Sequence, residues 1–353
     1  MIRILIAEDS PVVAGILKSL FNAENDFEVV GTACDGAEAV RMTAELRPDL
    51  ITMDVMMPIM EGVEATERIM EQTPTPIVII SSHVNDGEMR VTFRSLAAGA
   101  LSVLEKPEDV FAPTFEPKRK AFIKTIRAMA GVKVVRRRNR DWAVPAQAKQ
   151  PSTLPAKTDF RLIALGASTG GPQALHLILT ALPANYPLPI VIAQHITRGF
   201  TKGMVDWMDE KCALTLKIAE GGEPTRAGYV YFAPDGTDIS VIRERDSMCL
   251  AVSKEKPEGI LTPSVDVLFH SVISAVADRA VFGLLTGMGD DGAKGMLKAH
   301  NQGGWTFAEA EDSCVVYGMP QAAAQLGAAR EVLSLNAISD HLLALAGMAR
   351  TTA

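Results

Sequence analysis

The chain has 353 residues, 48% hydrophobic and 22% charged, with a formal net charge of -7. That length predicts two or three domains of ordinary globular composition, and the negative balance argues against nucleic-acid binding by bulk charge. No apolar run approaches the roughly 20 residues of a membrane span, and the four cysteines form neither a CxxC pair nor a disulfide framework, which fits a reducing cytoplasm.

The opening stretch MIRILIAEDS, with its carboxylate pair, reads as a strand and not as a signal peptide. From residue 1 to about 110, short apolar runs (IRILIAE, FEVVGTA, DLITMD, PIVIISS, ALSVLEK) alternate with segments of helical spacing such as PVVAGILKSLFNAEN and GAEAVRMTAELRP. Strand alternating with helix predicts a parallel sheet covered on both faces. A last helical pattern runs over 115–129, placing a first domain at 1–130.

The first run ends at Glu8 and Asp9, the third at Asp54, the fourth at Ser81 and the fifth at Lys106. The carboxyl ends of strands in an open parallel sheet form its ligand crevice, so these residues are expected to converge there. Carboxylates gathered at one place repel unless a cation sits among them, and oxygen ligands without Cys or His suit Mg²⁺. Glu8, Asp9 and Asp54 are the expected ligands. A carboxylate near Mg²⁺ and a lysine can take up a phosphoryl group, with Lys106 balancing its charge and Ser81 hydrogen-bonding to it. This set, with AEDS, MDVMMPIMEG, IISS and EKP, resembles the receiver domain of two-component response regulators over roughly residues 1–125. The resemblance implies a flavodoxin-like, five-stranded parallel sheet and Asp54 as acceptor of a phosphoryl group from a histidine kinase. Glu8 stands where many receivers have aspartate.

Residues 131–158 form a basic, proline-containing stretch without sustained periodicity, expected to be a linker. Its arginine cluster at 136–140 reads as solvated linker charge.

From 159 onward a second alternating pattern begins. RLIALGAS, PIVIAQH, GYVYFAP and AVFGLLTG read as buried strands, and DISVIRE with MCLAVSK as a hairpin. GPQALHLILTAL, SVDVLFHSVISAVAD and GAKGMLKAHNQ read as helices, giving a second α/β domain over 159–353. Three uses of GASTGG, at 166–171, compete. A P-loop needs a Lys–Ser/Thr pair after its glycines, which is missing here. A dinucleotide site wants an acid at the end of the next strand, where PIVIAQH places Gln194 and His195 instead. The third use is G-x-S-x-G at 166–170, a turn that raises Ser168 above the sheet and ahead of a helix N-terminus favourable to an oxyanion. His195 is the candidate base, and Asp290 or Asp291, after AVFGLLTG, the candidate orienting acid. His176 and His270 lie on helical patterns and read as packing or surface residues.

GASTGGPQAL, IAQHI, FAPDGTD, TPSVDVLF, LLTGMGDDGAKGM and SCVVYGMP, joined to a receiver, resemble the chemotaxis protein-glutamate methylesterase (CheB) family over nearly the whole chain. The resemblance implies a mostly parallel, Rossmann-like methylesterase domain. It implies hydrolysis of glutamate methyl esters on chemoreceptor cytoplasmic domains with release of methanol, and deamidation of certain receptor glutamines. It also implies Ser168 as nucleophile, His195 as general base and Asp291 as the orienting acid. Thr169 and Met288 flank the site, with the Met288 N–H as an oxyanion donor. It implies no cofactor for the esterase reaction, Mg²⁺ for the receiver, and a phosphorylation-controlled enzyme whose unphosphorylated receiver covers the esterase crevice. The expected partners are chemoreceptors and a chemotaxis-type kinase. Nucleic acid and membrane insertion are not expected, and the chain is expected to be a monomer. The rival expectations are a receiver with a non-catalytic output and a hydrolase serving another signalling system.

Overall fold

The computed structural model describes residues 1–82, 86–107, 115–132, 134, 159–245, 247–256 and 261–348. The linker expected at 131–158 falls mostly outside them, and the 136–140 cluster wholly so. The chain divides into two compact units, Met1–Trp142 and Ala143–Ala353.

In the first unit five strands alternate with five helices: β1 (Ile2–Ala7), α1 (Pro11–Asn22), β2 (Phe27–Ala33), α2 (Gly36–Leu46), β3 (Leu50–Asp54), α3 (Gly62–Gln72), β4 (Ile77–Ser81), α4 (Asp86–Ala98), β5 (Ser102–Glu105) and α5 (Phe115–Ala130). The sheet is parallel with order β2-β1-β3-β4-β5, the flavodoxin-like winding. β3 and β4 are buried along their whole length, as strands covered on both faces must be, whereas the edge strand β2 exposes part of its surface. Polar caps fix where the helices begin. Ser10 precedes Pro11 of α1 and accepts from Val13 N–H, and Asp35 accepts from Glu38 N–H at the start of α2. Gly62 lets α3 start directly against the end of β3, because a Cβ there would overlap the Asp54 carbonyl.

The second unit holds β6 (Leu162–Ala167), α6 (Gly171–Thr180), β7 (Ile190–Gln194), α7 (Thr201–Asp209), β8 (Thr215–Ile218), β9 (Tyr229–Phe232), β10 (Ile239–Glu244), β11 (Ser247–Val252), α8 (Val265–Val276), β12 (Ala280–Leu284), α9 (Ala293–Asn301), β13 (Trp305–Glu309), α10 (Met319–Gln325), β14 (Glu331–Leu333) and α11 (Leu335–Leu345). Seven strands form one parallel sheet in the order β14-β13-β12-β6-β7-β9-β8, and β10 and β11 pair as the expected antiparallel hairpin. β8, β13 and β14 go beyond the strands read from the sequence, as do α7, α10 and α11.

β6, β7, β12 and β13 are fully buried. Leu162 and Ala164 of β6 join Val272, Phe269 and Phe282 in a core that also takes in the hairpin residues Val241 and Leu250. Side chains alternate along a strand, so Ile163 and Leu165 serve the opposite face. α6 and α11 pack on each other, with the Tyr186 hydroxyl donating to the Leu342 carbonyl at 2.9 Å. The chain leaves β6 for β7 on one side and later returns to lay β12 on the other. β6 therefore sits at a topological switch point, where an open α/β sheet forms its ligand crevice.

Candidate functional sites at two sets of strand ends

In the first unit the expected acid cluster assembles. Glu8 follows β1, Asp54 ends β3 and Lys106 follows β5. The Lys106 Nζ donates to Asp54 Oδ2 at 2.7 Å and to Glu8 Oε1 at 3.1 Å. Val55 N–H donates to the other Asp54 oxygen at 2.7 Å. Glu8 and Asp54 are buried, and Asp9 is exposed. Burial, then the neighbouring Asp54 charge, raises the Glu8 pKa despite Lys106, and burial raises that of Asp54. Burial works against the Lys106 charge, yet its bonds to Asp54 and Glu8 hold its pKa above the ordinary lysine value.

One oxygen from each of Glu8, Asp9 and Asp54 lies within 4.8 Å of the other two, and the Lys106 ammonium lies 3.0 Å from Glu8 Oε2. An all-oxygen donor set with excess negative charge suits a hard divalent cation such as Mg²⁺. Ser81 lies at the end of β4 as expected, and its hydroxyl pairs with Thr92 Oγ1 of α4 at 3.0 Å.

In the second unit Ser168, His195 and Asp291 collect around the end of β6. Ala167 and Gln194 are register partners on β6 and β7, and His195 N–H extends the ladder to the Ala167 carbonyl at 2.9 Å. Ser168 and His195 are thus the next residues along two adjacent parallel strands, which run roughly 5 Å apart. On the other side of β6, Ser168 N–H donates to the Thr286 carbonyl beyond β12 at 3.0 Å. Gly171 N–H closes the turn on the Ser168 carbonyl at 2.8 Å, and Gly170, at φ 80°, opens α6.

His195 Nε2–H donates to Asp291 Oδ2 at 2.9 Å. That carboxylate also accepts from Val265 N–H at 2.7 Å, Asp266 N–H at 3.1 Å and the Ser264 hydroxyl at 3.1 Å. It is therefore seated on the N-terminus of α8, where free N–H groups and the helix dipole favour an anion. Burial alone would raise the Asp291 pKa, but the His195 bond and the Val265 and Asp266 amides outweigh it and hold the pKa below the usual range. With Nε2 committed to Asp291, Nδ1 is the imidazole nitrogen left to take a proton from a serine. Asp290 is exposed, so the choice between the two acids that the sequence left open falls in space on Asp291.

Thr169 and Met288 are half-buried beside the turn and in the loop after β12. Among the described residues no protein acceptor meets the Met288 N–H. That loop is pinned by Gly318 N–H and Met319 N–H on the Gly287 carbonyl, at 3.1 and 2.9 Å. A Cβ on Gly287 would come within 2.6 Å of the Ser168 Cβ, so the loop approaches the serine as closely as a backbone can. His176 stacks on Trp207, and His270 is exposed.

Four residues that the sequence reading gave no role complete the setting. The buried Gln194 donates from Nε2 to the carbonyls of both Ser168 and His195, each at 2.8 Å. Ser264 caps α8 and touches Asp291; a serine just before an apolar helical run was its available signal. The Thr286 hydroxyl donates to the Thr169 carbonyl at 2.9 Å, and its N–H donates to Glu309 Oε2 at 2.8 Å.

The fold and these two crevices define an α/β chain in which a receiver-type acid site is joined to a hydrolase-type Ser/His/Asp set. Residues 163–342 match the CheB methylesterase family, and residues 4–111 match the response regulator receiver domain. The chain is 43% identical to a protein-glutamate methylesterase/protein-glutamine glutaminase of Syntrophus aciditrophicus, over 98% of this chain and 99% of that one. It is 42% identical to one of Nitrosospira multiformis, over 97% and 96%. The solved CheB methylesterase catalytic domain of Thermotoga maritima is similar at TM-score 0.51 and 35% identity, covering 53% of this chain and 98% of that one. The chain belongs to the CheB family of protein-glutamate methylesterase/protein-glutamine glutaminases. Among the described residues no helix is long and apolar enough to cross a membrane.

Proposed function

We propose that the chain hydrolyses glutamate methyl esters, and deamidates selected glutamines, on the cytoplasmic domains of chemoreceptors for chemotactic adaptation. In this reading Ser168 is the nucleophile, His195 the base and Asp291 the acid that orients it. The single observation that carries the assignment is the His195–Asp291 bond beside the end of β6, with the carboxylate held ionised on α8.

The Ser168 hydroxyl gives its proton to His195 Nδ1 as its oxygen attacks the ester carbonyl. The resulting imidazolium is stabilised by Asp291 through Nε2. The developing oxyanion is met by the Met288 N–H, with the N-terminus of α6 contributing its dipole. As the tetrahedral intermediate collapses to the glutamyl-enzyme, His195 gives the proton to the departing methoxy oxygen, which leaves as methanol, or to the amide nitrogen of a glutamine, which leaves as ammonia. A water deprotonated by the same nitrogen then releases the glutamate. Gln194 and Thr286 hold the carbonyls on either side of this turn, which fixes the geometry before substrate arrives.

Asp54 is the acceptor of a phosphoryl group from a chemotaxis-type histidine kinase, and its modification raises the esterase rate. Glu8, Asp9 and Asp54 would hold Mg²⁺, which when bound neutralises charge on the transferring phosphoryl group. Lys106 then pairs with a phosphoryl oxygen in place of the Asp54 carboxylate. The free cysteines support a reducing, cytoplasmic setting. Methanol release from methylated receptor fragments tests the reading, with wild type, S168A and D54N compared in the presence and absence of acetyl phosphate and Mg²⁺. Release that depends on Ser168, and stimulation that depends on Asp54, are the expected results.

A further inference from the structure

Glu309, the last residue of β13, is wholly buried beside the proposed nucleophile turn. Its Oε2 accepts from Thr286 N–H at 2.8 Å, and Ser313 and Cys314 of the loop after β13 lie beside the carboxyl. Thr286 is itself buried and is tied to the turn at two points. Its carbonyl accepts from Ser168 N–H at 3.0 Å, and its hydroxyl donates to the Thr169 carbonyl at 2.9 Å. Val316 N–H, from the segment that pins Gly287, donates to the same hydroxyl at 2.9 Å. One side chain thus fixes the peptide on which the position of Ser168 depends.

The groups acting on Glu309 are the Thr286 N–H from the β12 side, and Ser313, Cys314 and Asp312 from the loop after β13. None is a cation, and Asp312 is a further negative charge. A carboxylate buried without a counter-charge is costly, so the neutral acid is the favoured form. Burial, reinforced by Asp312 against the hydrogen bonds, pushes its pKa up to about 7.

We infer that Glu309 is a positioning residue of the esterase site and acts in its protonated form, holding Thr286 and the Ser168 turn while keeping negative charge away from the developing oxyanion. The inference rests on the reading of Ser168 as nucleophile. Ionisation of Glu309 places an unscreened anion behind the turn, where it opposes the charge forming on the substrate oxygen. Activity should therefore fall on the alkaline side as Glu309 loses its proton.

The test is the pH profile of methanol release by the full-length chain between about pH 6 and 9. Wild type, E309Q and E309A are compared, and S168A is the blank for spontaneous ester hydrolysis. Glutamine keeps the acceptor oxygen for Thr286 N–H and cannot ionise. E309Q is expected to shift the alkaline limb upward by about one pH unit or more, and to recover most of the turnover that E309A loses at unchanged KM. An E309Q profile that superimposes on wild type overturns the inference, whether or not E309A folds. If S168A is inert while E309Q tracks wild type, the inference alone fails. If S168A turns substrate over, the reading of the nucleophile fails and takes the inference with it.

Discussion

His195 and Asp291 lie 96 residues apart in the chain and meet through Nε2 and Oδ2 at 2.9 Å, on a carboxylate that also seats the first turn of α8. In the proposed site, the orientation of the base and the position of the helix are therefore set by one side chain. Replacing Asp291 with Asn leaves a single oxygen for two backbone N–H groups, the Ser264 hydroxyl and the histidine. D291N should lower turnover on the order of 10⁴-fold, by analogy with the serine-protease aspartate. D290N, altering an exposed side chain, should stay near wild type. Steady-state methanol release by the two variants checks this; reversed effects would place the acid at the wrong residue.

The same bond carries a stability term with a definite sign. The folded Asp291 pKa is depressed, so its contribution is present above the unfolded carboxylate value and is lost as pH falls through the folded value.

Much of this was legible in the sequence because strand-end residues announce themselves. Glu8, Asp54 and Lys106 each close a short apolar run, and in space they join. Ser168 and His195 were readable for the same reason, since the residue after a buried strand in a parallel sheet faces the crevice. Side-chain partners were not readable. The Ser81 hydroxyl pairs with Thr92, and nothing in IISS signals that partner on the neighbouring helix. β14 has only three residues and β8 lies at the sheet edge, so neither makes an apolar run strong enough to stand out. Glu309 ends β13 at the place where a polar residue normally marks exit to solvent, and only the packing reveals that it stays inside.

Gly287→Ala should misplace the nucleophile. The added methyl would lie 2.6 Å from the Ser168 Cβ, closer than carbon atoms approach, and the loop is pinned from behind by Gly318 and Met319. The Met319 thioether, 2.5 Å from the added methyl, can shift, but the Ser168 backbone and Cβ must give way as well, so kcat should fall about tenfold or more with KM little changed. Overpacking of this kind should also cost about 1–3 kcal/mol of stability. Kinetics and thermal unfolding of the variant measure both; wild-type turnover would show that the turn tolerates displacement.

Divalent cation binding to the receiver should tighten as pH rises. Burial and the Asp54 charge hold Glu8 above the usual carboxylate pKa, and burial does the same for Asp54. Ionising them works against the fold as pH rises through the ordinary carboxylate range, and a bound cation offsets this. Calorimetric titration with Mg²⁺ at about pH 5.5 and about pH 7.5 should show the weaker binding at the lower pH. Equal affinities would mean that the acid cluster does not ligate the ion.

Control through Asp54 should appear as a bounded activation. If the unmodified chain favours its less active state by about 1–3 kcal/mol, roughly 1–15% of molecules are competent before phosphorylation. Acetyl phosphate with Mg²⁺ should then raise the rate by roughly 10- to 100-fold at most. D54N should remain at the basal rate with or without the donor. An equal response in D54N would move the phosphoryl acceptor elsewhere.

The most direct test of the whole account is methanol release by Ser168→Ala, measured beside wild type on the same methylated chemoreceptor fragment, with circular dichroism confirming the fold. The account predicts a folded protein whose rate is several orders of magnitude below wild type, with only oxyanion stabilisation and binding remaining. A folded S168A protein releasing methanol at close to the wild-type rate would contradict it.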